Sequence, residues 1–134
     1  MSQQLLGHVD VPASGPAYWR AVWSRRHTVT AVAAAVALFA VLMSARGAVA
    51  ALDVALLGLA AVVGAITLAT YVPPAGVPLR EHATGGSCGI IPVLAVVGAP
   101  VLLSQAAPTL LPLIVLLACY GLAMGKRITD HASC

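Results

Sequence analysis

From Val54 to Val72 the chain carries no charged side chain, and Thr28–Ala45 reads the same way. Two further apolar runs follow, Ile90–Gln105 and Leu110–Gly125. At the helical rise, Thr28–Ala45 reaches about 27 Å, close to the hydrocarbon core of roughly 30 Å. Inside a bilayer the backbone must satisfy its own N–H and C=O groups, so runs of this kind are helical. Composition removes the soluble alternative. Only 8% of residues are charged, 60% are hydrophobic, and the mean hydropathy is +0.98. A soluble domain carries about 25% charged residues, and this chain could not cover a water-facing surface. The predicted fold is an all-α membrane protein, a bundle of four transmembrane helices near 28–45, 54–72, 90–105 and 107–125. It leaves no room for a second soluble domain.

The segments between the runs set the boundaries. Residues 1–27 form a polar N-terminal tail ending in an aromatic and basic stretch, Tyr18–His27. Trp19 and Trp23 are one helical turn apart. With Arg25 and Arg26 they suit the headgroup layer and are expected to anchor one membrane edge; first turns of the first span extending out of the membrane would serve the same edge. Gly47 is available to close the first helix. Arg46 is expected to snorkel at the far edge. Asp53 stands where a carboxylate would cap the second helix. Pro92 lies in a first turn, where a missing N–H costs little, whereas Pro100 is interior and should kink or open its helix. The shortness of the third run leaves two arrangements for runs three and four: two tilted spans, or a proline-rich re-entrant hairpin. Arg25–Arg26 before the first run and Ala48-Val49-Ala50 after it share features of a cleaved leader. Asp53 and the three later runs argue for a retained membrane protein.

Basic residues give the orientation. The N-terminal segment holds Arg20, Arg25 and Arg26, the central loop 71–89 holds Arg80, and the C-terminal segment 126–134 holds Lys126 and Arg127. With four spans these share one side, and only Arg46 of the seven lies opposite. The positive-inside rule makes both termini and the central loop cytoplasmic. Tyr18, Trp19, Trp23, Tyr71 and Tyr120 fall toward the same side. The Ala/Val/Arg-rich style matches GC-rich bacterial genomes, which points to a multi-pass protein of a bacterial plasma membrane.

Helices in lipid associate through close backbone approach, which small residues at four-residue spacing permit. Ala61 and Ala65 form such a ridge on the second helix, and Gly121 and Gly125 one on the last. They are the candidate packing residues, within the chain or against a partner.

Little else carries chemistry. The chain has no phosphate-binding loop, nucleophile elbow or HExxH motif, and no catalytic residue is assigned. Its basic residues are dispersed, without the stripe that binds nucleic acid. The predicted topology brings His82, Cys88, His131 and Cys134 to one membrane surface, an N₂S₂ set of the type that suits zinc, with copper as the other candidate. Their spacing is not an established zinc pattern. Cys88 four residues before Pro92 is similar to the small mercury-transport membrane proteins over a short stretch, but those carry paired cysteines where Cys88 stands alone. The similarity assigns no family.

The functional expectation is a non-enzymatic accessory or assembly subunit of a membrane complex. Its partners would be the lipid bilayer and a membrane protein or a second copy. The alternative is a small transporter or metal-handling protein using the cytoplasmic Cys and His residues. Transporters place polar ligands near the midplane, and these runs offer almost none.

Overall fold

The computed structural model describes residues 15–47, 50–74, 76, 78 and 90–129. Among them are five helices and no strand: α1 (Pro16–Val22), α2 (Arg25–Arg46), α3 (Ala51–Ala69), α4 (Ile91–Ser104) and α5 (Leu110–Thr129). Three of these, α2, α3 and α5, are long and apolar enough to cross a membrane. Helix α4, at 14 residues, rises about 21 Å.

Two helical hairpins make the bundle. The largest helix contacts, in decreasing order, are α2 with α3, α3 with α5 and α5 with α4, while α2 also meets α4. The order around the bundle is therefore α2, α3, α5, α4. The helices of each hairpin are antiparallel, whereas α3 runs parallel to α5 and α2 parallel to α4, so that Arg127 near the end of α5 meets Thr70 at the end of α3 and Arg46 at the end of α2 meets the turn after α4. Gly47 closes α2 in the left-handed conformation at φ 60°, its N–H donating to the Met43 carbonyl at 2.9 Å. A left-handed residue at that position is cheapest as glycine. The proline placements follow the same logic. Pro92 and Pro112 lie in the first turns of α4 and α5, where a backbone donor would be unused anyway.

The outer surface is apolar. Val29, Val32 and Val36 on α2 are exposed, as are Leu94, Val97 and Val101 on α4. Each trio repeats at helical spacing and covers one face. The interior holds smaller side chains: Ala60, Ala61 and Ala65 of α3 are each 2% exposed or less, packed among leucines from the other helices.

Tyr120 is the exception to a small-residue interior. It is fully buried, and its hydroxyl donates to the Val96 carbonyl at 2.7 Å. Pro100 explains why that carbonyl accepts. In a regular helix the N–H of residue 100 would donate to carbonyl 96, and proline has none. Helix α4 nevertheless continues through Pro100 to Ser104, so it does not open there. Tyr120 reaches from α5 to supply the donor. Its ring needs space on α3, and Gly64 gives it: a Cβ there would stand 2.8 Å from the ring and 3.0 Å from Leu38.

Two helix ends differ from expectation. Helix α3 begins at Ala51 with Ala50 as its N-cap, so Asp53 sits inside the first turn and does not cap. Its carboxylate faces Arg46 instead, at 3.9 Å. Helix α5 continues past Lys126 and Arg127 to Thr129.

Overpacking beside Tyr120 should cost about 1–3 kcal/mol. Gly64→Ala is expected to lower the unfolding midpoint in detergent. Gly58→Ala, with only Phe39 at 3.8 Å, is expected to leave it unchanged or raise it, since alanine is the better helix former. Equal midpoints for the two variants would contradict this packing.

Candidate functional site

The polar side chains gather at the two ends of the bundle. At the end where α2 starts, the chain leaves α1 at Trp23 and re-enters helix at Arg25, with Ser24 as N-cap. The basic and aromatic stretch is thus divided: Tyr18–Val22 belong to the separate short helix α1, and Arg25, Arg26 and His27 form the first turn of α2. His27 and Ser24 form a capping box: the Ser24 N–H donates to His27 Nδ1 at 3.2 Å. Because Nδ1 accepts, the ring proton resides on Nε2, which lies 3.1 Å from the Val72 carbonyl just beyond α3 and donates to it. His27 is 1% exposed. One imidazole therefore caps α2 and ties it to the segment that leaves α3.

Arg127 closes the same end from α5. It is 8% exposed, with Nε 3.3 Å from Thr70 Oγ1 and Nη2 3.4 Å from the Thr70 carbonyl. Thr70 Oγ1 in turn donates to the Thr67 carbonyl at 2.6 Å. The guanidinium lies over the Tyr71 ring, 4.2 Å from its centroid, and 5.9 Å from that of Trp19. A planar cation between aromatic faces and carbonyl oxygens is a role for arginine and not for lysine. Burial pushes the Tyr71 hydroxyl up from its ordinary value of 10.0, against opposing pulls from the Arg127 charge and a backbone hydrogen bond with Val93 in the first turn of α4.

At the opposite end Arg46 joins the two hairpin turns. Its Nη1 and Nη2 donate to the carbonyls of Ala107 and Thr109 at 2.9 and 2.6 Å, beside Asp53. The side chain is 5% exposed. The guanidinium reaches carbonyls of the turn between α4 and α5, of which that of Ala107 also accepts from the Thr109 N–H at 2.8 Å.

The sequence-derived candidates distribute as follows. Ala61 and Ala65 lie in the core, 2% and 1% exposed. Gly121 and Gly125 lie on the outer face of α5, and a Cβ at either would meet nothing within 4 Å. Among the described residues no side chain or backbone of another helix stands against either position. Trp19 is 6% exposed and packs near Arg127. Trp23, Arg25 and Arg26 are exposed, and Trp23 donates to Thr28 Oγ1 at 3.0 Å. Tyr120 belongs to the core and not to a membrane edge. His82, Cys88, His131 and Cys134, the set considered for zinc or copper, lie outside the described residues. Among the described residues no three His, Cys, Asp or Glu side chains converge. His27 and Arg127 were not singled out as site residues. The Ser24-x-x-His27 spacing was the available signal for the first, and Arg127 needed the tertiary position of Tyr71.

Two outcomes test these ends. Arg46→Ala removes the side-chain donors to the Ala107 and Thr109 carbonyls, the first of which keeps the Thr109 N–H, and should cost about 1–3 kcal/mol, read as a lower midpoint in detergent; an unchanged midpoint would show the clamp to be dispensable. Tyr71 stays neutral longer in the fold than in the unfolded chain. Below pH 10 it therefore contributes no pH dependence, and above pH 10 stability falls as the unfolded phenol ionises first. Tyr71→Phe should make that alkaline decline shallower, and identical slopes would contradict the burial described.

Comparison with family models, with curated proteins and with solved structures finds no match to this chain.

Proposed function

We propose that the chain is a four-span protein of a bacterial plasma membrane, with both termini and the central loop cytoplasmic. It acts as a non-enzymatic accessory or assembly subunit. Its partner is a membrane helix of another protein or of a second copy.

The observation that carries this reading is the division of α5 into two faces. One face is consumed by the fold: Leu113, Leu116, Tyr120, Ala123 and Arg127 are buried. The other leaves Gly121, Leu122 and Gly125 open, with Leu122 74% exposed. Small residues one turn apart allow a second backbone to approach closely, and in lipid such approach is the main source of helix association. The polar groups support the same reading. Arg46, His27, Tyr120 and Arg127 each bond to a carbonyl of another segment, which is a structural use.

The pairing of ends supports a reading of four spans over three. Arg127 and His27 meet the segment after α3, while Arg46 meets the turn between α4 and α5. Those contacts favour α4 crossing with its neighbours, its shortness met by tilt or local bilayer thinning. Six of the seven basic residues then share one side, which the positive-inside rule makes cytoplasmic.

Association is tested on the open face. Gly121→Leu and Gly125→Leu should abolish a discrete cross-linked species in native membranes, and Leu122→Ala should leave it largely intact. The unfolding midpoint should stay unchanged in all three, because nothing within the chain lies against the glycines. A cross-linked species indifferent to both leucine variants would overturn the reading. Orientation is tested with an impermeant maleimide in intact cells, with Cys119 changed to Ala. Cys88 and Cys134 should stay unlabelled until the membrane is permeabilised, and rapid labelling from outside would reverse the topology.

A further inference from the structure

At the bundle end that carries Arg20, Arg25 and Arg26, the helices α1, α3 and α5 enclose an open groove of about 450 Å³. Trp19 and Trp23 wall it on one side, Ile66 and Thr70 of α3 on another, and Ile128 of α5 on the third, with Arg20 at its edge. Ile66 lies one turn inside the end of α3 and Ile128 in the last turn of α5. The groove therefore begins within the apolar band and opens at its rim. This is the depth at which a phospholipid passes from acyl chain to phosphate, and at which tryptophan and arginine are favoured.

Charge selects among lipids. Arg20, Arg25 and Arg26 are exposed, and among the described residues none of them makes an ion pair. The one acidic residue described, Asp53, lies at the opposite end beside Arg46. We propose that this groove binds one anionic phospholipid. The upper acyl chain lies against Trp19, Ile66 and Ile128, and the headgroup phosphate meets the Arg20 guanidinium, whose fork matches phosphate oxygens. Arg25 and Arg26 are not among the residues that line the groove.

The chain's two tryptophans both line the groove, so intrinsic fluorescence reports on it alone. The full chain in nanodiscs is titrated with brominated phosphatidylglycerol and, separately, with brominated phosphatidylcholine. Phosphatidylglycerol should quench with a preference of about fivefold, the effect of one basic side chain at an anionic surface. Arg20→Gln should bring the two lipids near parity, while Arg25→Gln with Arg26→Gln should keep most of the preference. Ile66→Phe narrows the groove without changing charge and should reduce quenching by both lipids. Equal quenching by the two lipids in the parent would overturn the proposal. So would a preference that survives Arg20→Gln but is lost in the Arg25/Arg26 pair, which would mean diffuse surface charge. Quenching unaffected by Ile66→Phe would show that no lipid enters the groove.

Discussion

Pro100 leaves the Val96 carbonyl without its helical donor in an apolar interior, and the packing of three helices answers that vacancy. In water a solvent molecule would fill it. In a bilayer an orphaned carbonyl costs several kcal/mol, so a protein group must reach it. Tyr120 does so from α5, at 2.7 Å and with no exposure to the surroundings. Its ring can lie there only because Gly64 on α3 carries no side chain. One proline in α4 therefore requires a tyrosine in α5 and a glycine in α3. The order of the helices around the bundle follows from that requirement, with α5 between α3 and α4.

The two ends work on a related rule. Turns between short hairpins expose carbonyls that no helix pairs, and each end sends an arginine to them. Arg46 joins the α4–α5 turn to the start of α3, and Arg127 joins the end of α3 to aromatic faces of Tyr71 and Trp19. His27 adds a third tie through the Val72 carbonyl. These groups look functional in a list of charged residues. Their partners make them fasteners.

Much of this was legible in the sequence. The apolar runs located α2, α3, α4 and α5, of which three are long enough to cross a membrane, and the basic residues before α2 and late in α5 lie at the same end of the bundle. Gly47 as a helix terminator and Pro92 in a first turn were readable because each depends on local backbone geometry alone. Tertiary effects were not. Pro100 reads as a break until its orphaned carbonyl finds Tyr120, which is distant in sequence. Asp53 reads as a cap because the helix start was placed at Val54 and not at Ala51. Gly121/Gly125 and Ala61/Ala65 have the same spacing, yet only the alanines face inward, and spacing alone carries no sense of direction. The histidine and cysteine set fell on segments outside the described residues.

The dependence of Tyr120 on Pro100 can be measured directly by a double-mutant cycle in detergent micelles. Tyr120→Phe in the parent removes the only cross-helix donor shown for the Val96 carbonyl among the described residues and should cost about 1 kcal/mol. Pro100→Ala restores a backbone N–H in register with that carbonyl. In that background Tyr120→Phe should cost close to nothing, so the coupling should nearly equal the single-variant loss. An equal cost in both backgrounds would contradict the link between the proline, the tyrosine and the helix arrangement.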